Sequence, residues 1–85
     1  MTEDQLQKVL SNEDFFNLIL EARKNDELRE ALLYALKSDD ETRIKIIKAW
    51  VKSSLEDGAT REFCVALSYF VYPEVAAEVL PLLSK

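Results

Sequence analysis

The sequence predicts an all-α protein, a compact irregular bundle of five to six short helices, and three observations carry that prediction. One Gly and two Pro in 85 residues are too few for the turns of an all-β domain. Leu, Ala, Glu and Lys, all good helix formers, are abundant. Apolar residues recur at three- and four-residue intervals behind capping residues, and no strand-like alternation occurs.

Thr2 and Gln5 are spaced as a capping box, and Leu6, Val9 and Leu10 follow at helical spacing, which predicts a short first helix. Ser11 or Asn12 caps a second. Its first turn carries Glu13 and Asp14 at the positive end of the helix dipole, its apolar stripe is Phe15, Leu18, Ile19 and Ala22, and it ends near Lys24. Asn25 restarts the pattern with Asp26 and Glu27, and Leu28, Ala31, Leu32, Ala35 and Leu36 share one face of the third helix.

Asp39 and Asp40 cap a longer fourth helix over residues 40–57, with Ile44, Ile47, Val51 and Leu55 as its stripe and Gly58 where a left-handed C-terminal residue is wanted. Thr60 caps a fifth helix from Arg61 to Tyr72. Phe63, Val65, Ala66, Leu67, Phe70 and Val71 make it apolar nearly all round, so it is expected to be the central helix. Pro73 suits the first position of a sixth helix, and Pro81 is expected to end or kink it.

Residues 1–85 read as a single helical domain with short connectors, wrapped around helix five; a short HEAT-like superhelical fragment satisfies the same pattern. Asn12-Glu13-Asp14, Asn25-Asp26-Glu27 and Asp39-Asp40-Glu41 stand in similar register ahead of apolar pairs. Shared capping rules produce that appearance as readily as a true repeat does, and the last two helices do not keep it.

The net charge of −5 is uneven: residues 1–42 hold eleven acids and five bases, residues 43–85 five acids and six bases. An acidic half argues against a nucleic acid partner, because phosphates demand a basic footprint. Lys45, Lys48 and Lys52 form a stripe flanked by Glu41 and Glu56, the pattern of a salt-bridged solvent face. The apolar stretch from Phe63 to Leu83 is interrupted by Pro73, Glu74, Glu78 and Pro81, so no membrane span is expected. The single Cys64 cannot form an internal disulfide and no leader pattern is visible, so a cytoplasmic location is expected.

No His is present, which removes the commonest general base and the commonest metal ligand. Cys64 sits in an apolar helix and reads as a buried, inert thiol. The carboxylate pairs fall at helix starts, where capping and the dipole account for them, and no Gly-rich phosphate loop or metal-binding loop occurs. The chain is therefore expected to be no enzyme and to hold no metal or cofactor.

What remains is binding. The first expectation is a noncatalytic protein-protein interaction module that contacts another protein or a second copy of itself as a homodimer. The alternative is a small acidic inhibitor or immunity-type protein that blocks a basic site on an enzyme or toxin. The partner-binding residues expected are Trp50 and Ile46, at the edge of the fourth helix's apolar arc, with Tyr34 outside the main stripe of helix three.

Overall fold

The computed structural model describes residues 1–84. It contains six α-helices: α1 (Glu3–Leu10), α2 (Glu13–Lys24), α3 (Asp26–Lys37), α4 (Asp40–Glu56), α5 (Arg61–Ser68) and α6 (Pro73–Leu83). One turn of 3₁₀ helix, Tyr69–Val71, lies between α5 and α6. The fold is all-α, with no strand among the described residues.

Each of the first five helices starts on a side chain that accepts a backbone N–H left over by helix geometry. Thr2 and Gln5 form the reciprocal capping box of α1. Asn12, Asn25, Asp39 and Thr60 cap α2, α3, α4 and α5. At the end of α4, Ala59 N–H donates to the Ser54 carbonyl and Gly58 N–H to the Leu55 carbonyl, while Gly58 takes the left-handed φ of +86°.

One continuous core joins all six helices and the 3₁₀ turn. Its largest fully buried side chains include Phe15 of α2, Phe70 of the turn, Leu32 of α3, Ile47 of α4 and Val75, Val79 and Leu83 of α6. The Phe15 ring lies 5.1 Å from that of Phe70 and meets Tyr69 edge-on at 5.9 Å, contacts worth about 0.5–1.5 kcal/mol each beyond the area they bury. Helix α6 packs on α3, α1 and α2, while α5 packs on α2 and α4. Contact between the first and last helices closes the chain into a bundle, whereas in a HEAT-like superhelix each unit would touch only its neighbours in sequence.

The structure differs from the sequence reading around α5. The helix ends at Ser68, whose hydroxyl donates to the Val65 carbonyl at 2.6 Å, and the chain tightens into the 3₁₀ turn. Tyr72 is then extended, at φ −82° and ψ 127°, because the ring of Pro73 disfavours helical geometry in the residue before it. The result is a bend of 100° between the Arg61–Val71 segment and α6. An eight-residue α5 cannot be wrapped on every side: Cys64, Ala66 and Leu67 are buried, but Phe63 is 38 % exposed and Val65 40 %. The centre of the bundle is instead the junction of Phe15 and Phe70. Among the described residues no single helix is long and apolar enough to cross a membrane.

Two further expectations are corrected. Of the two outcomes expected of Pro81, ending α6 or kinking it, the first does not occur, because the helix continues to Leu83. Pro81 and Ala77 both lie on the exposed face, so the missing bond falls on the solvent side while Leu83 anchors the last turn in the core. In α4 the buried face is rotated from the expected stripe toward Arg43, Ile47 and Trp50, and Leu55 is 56 % exposed.

That rotation places Arg43 in the interior at 3 % exposure. Its Nε donates to the Phe70 carbonyl at 3.1 Å and its Nη2 to the Val71 carbonyl at 3.0 Å, while Nη1 pairs with Asp40 at 2.7 Å. The two carbonyls belong to the end of a helical segment, where no backbone N–H is available to them, and the guanidinium fork supplies the missing donors.

Candidate functional site

The most enclosed of the grooves described here runs between α2 and α6, closed at one end by the last residue of α1. On α2, Ile19 and Leu20 lie three and four residues after Phe16, and Arg23 lies four and three after them, so the four share a face of that helix. On α6, Glu78 and Leu82 are one turn apart and form the opposite wall, and Leu10 of α1 completes the lining. The space enclosed is about 370 Å³.

Why these apolar residues face solvent follows from the wheel. Phe15 and Leu83 take the core-facing positions, which leaves their neighbours Phe16 and Leu82 turned about 100° away. Phe16 is 54 % exposed and Leu82 42 %, while Ile19 forms a buried part of the lining. Such a surface offers a dry contact area with charge only from Arg23 and Glu78.

Two shallower grooves flank the bundle. One, of about 340 Å³, is lined by Met1, Val9, Tyr69 and Tyr72 among others. The other, of about 330 Å³, includes Leu18, Leu28 and Phe63. None of the three is lined by Trp50, Ile46 or Tyr34.

Trp50 and Ile46, one turn apart on α4, are half-buried and pack against the core from its edge. Tyr34 is 69 % exposed, on the side of α3 opposite Leu32, Ala35 and Leu36. The stripe the sequence predicts for α2, Phe15, Leu18, Ile19 and Ala22, leaves out Phe16 and Leu20, and the helical period gives α6 no comparably clear face, so the sequence does not point to the groove. The available signal was Phe16, a large aromatic directly beside a core Phe.

The remaining charge is structural or solvated. Lys45 pairs with Glu41 at 3.3 Å on the exposed face of α4. Asp39 accepts hydrogen bonds from Thr42, which hold its carboxyl below the usual carboxylate pKa. Cys64 is buried and unpaired. Among the described residues no group of three or more His, Cys, Asp and Glu converges to hold a metal ion.

No protein-family model matches the chain, and neither a curated protein nor a solved structure matches it.

Proposed function

We propose that this chain is a noncatalytic protein-interaction module of the cytoplasm that docks its partner in the α2–α6 groove. The observation that supports this reading is a groove walled by two exposed apolar residues, Phe16 and Leu82, from facing helices. Exposed apolar side chains gathered around a concavity mark contact sites on small domains. The absence of any His and the burial of Cys64 give the groove no nucleophile or base of the ordinary kinds.

A second reading places contact on Trp50 and Ile46 of α4 together with Tyr34 of α3. The exposure of Tyr34 favours it. The acidic-inhibitor alternative has less support, because ten of the sixteen acids sit in the first turns of the six helices, where the dipole already favours them.

Photo-crosslinking in the native cell tests the groove. With Phe16→benzoylphenylalanine, irradiation is expected to attach a protein, and a further Leu20→Glu substitution is expected to abolish the product. Absence of any crosslinked protein, or an equal yield from the same group placed at the solvent-facing Lys52, would overturn the reading.

A further inference from the structure

We infer that the partner seated in the α2–α6 groove is a second copy of this chain, related by a two-fold axis. The inference rests on the reading of that groove as a docking surface. Its walls carry one charge of each sign, Arg23 on α2 and Glu78 on α6. Both are exposed, and among the described residues neither makes an ion pair within the chain.

A two-fold contact is isologous: whatever residue i meets across it, the partner's residue i meets in return. Antiparallel apposition of two grooves therefore sets Arg23 of each copy against Glu78 of the other and forms both pairs at once. A partner with a strongly acidic or basic surface would gain at one wall and be repelled at the other. Apolar shape agrees with the charge pattern, because Phe16 stands out beside the very concavity that a Phe16 from a second copy could enter.

The net charge of −5 opposes self-association at long range, but that repulsion is screened within about 8 Å at physiological salt. The groove itself is balanced and lets two acidic molecules approach. A standard interface covers about 800 Å² of each partner, roughly one seventh of the 5632 Å² surface of this chain. The groove and its rim are a small part of the molecule, so the dimer is expected to be reversible.

Sedimentation of the purified full chain from low micromolar to millimolar concentration reads the association. The wild type is expected to move from 9.8 kDa toward twice that mass. Arg23→Glu alone and Glu78→Arg alone are each expected to remain monomeric, since each sets like charges together twice. An equimolar mixture of these two variants is expected to dimerise, because every rim pair across that heterodimer is again complementary. Circular dichroism of both variants establishes that these exposed substitutions leave the fold intact.

A wild type that stays monomeric at millimolar concentration overturns the inference, as does a dimer unaffected by either substitution or a mixture that stays monomeric. These outcomes are distinct from failure of the groove reading. A monomeric wild type whose position 16 still crosslinks to a different protein retains the docking surface and loses only the second copy.

Discussion

Arg43 of α4 donates through Nε to the carbonyl of Phe70, 27 residues further along the chain, and so ties the first turn of the longest helix to the turn that redirects α5 into α6. The same guanidinium holds the Val71 carbonyl. Its ion pair with Asp40 adds little, because Asp40 is 71 % exposed and the charge is well solvated on that side. The weight of Arg43 lies in the two carbonyls.

Replacing Arg43 with Leu is expected to leave both carbonyls without their donor, at about 1–3 kcal/mol for the buried Phe70 carbonyl and the low end of that range for the part-buried Val71 carbonyl. A total of about 3 kcal/mol would lower the melting temperature of a domain this size by ~10 °C or more. Arg43→Lys retains a charge but not the planar fork, and is expected to recover only part of the loss. Thermal denaturation of the two variants checks the order; a Leu variant as stable as wild type would show that the turn holds without Arg43.

Much of this fold was legible in the sequence because its signals are local. Asn25 and Thr60 stand at the helix starts the sequence marks, Asn12 is the cap of the two candidates Ser11 and Asn12, Asp39 is that of Asp39 and Asp40, and Gly58 takes its left-handed φ. The error at α5 had a non-local cause. Phe63 and Val65 share a helix with buried Leu67, and nothing in the helical period says that too few neighbours exist to cover all of its sides. The pre-proline restriction at Tyr72 was readable and would have ended the helix before Pro73. Arg43 could also have been placed: it lies one turn before Ile47, on the buried stripe. Only its carbonyl partners, 27 and 28 residues away in sequence, explain a charged residue there.

The core and its margin are separable by truncation. Phe70 is fully buried against Phe15, and Phe70→Ala is expected to cost about 3–5 kcal/mol, enough to unfold much of a marginally stable domain. Phe63→Ala removes a ring that is already 38 % exposed and is expected to cost clearly less. Urea denaturation of both compares them directly. Equal midpoints would mean that the bundle is not centred on the Phe15–Phe70 junction.

Acid should loosen the start of α4 through Asp39. Hydrogen bonds from Thr42 depress its pKa in the folded state, so the ionised form is favoured there over the unfolded chain. Its contribution is therefore complete above the unfolded carboxylate pKa and is lost as pH falls through the lowered folded value. Asp39→Asn keeps an oxygen that can accept from the Thr42 N–H but removes the titration. The variant is expected to show a shallower loss of stability over that acid window, measured by urea unfolding at a series of pH values. An unchanged slope would place the acid sensitivity in other carboxylates.

Tyr34 and Trp50 give the edge reading a test that stability does not confuse. With 69 % of its surface in water and its side chain opposite the α3 core face, Tyr34 has little packing to lose, and Tyr34→Ala is expected to shift the urea midpoint by less than about 0.5 kcal/mol in stability. Trp50 packs half-buried on the core, so Trp50→Ala is expected to destabilise by ~2 kcal/mol, below the range for fully buried large residues, and the chain should still fold. Binding then separates the surfaces. A partner held in the α2–α6 groove keeps its affinity for Tyr34→Ala and loses it for Leu20→Glu. A partner held at the α3–α4 edge does the reverse, with Tyr34→Ala weakening it by ~2 kcal/mol, the scale of an interface anchor. Titration calorimetry with the captured partner distinguishes the two, and a tenfold or greater loss on Tyr34→Ala would move the contact from the groove to the edge.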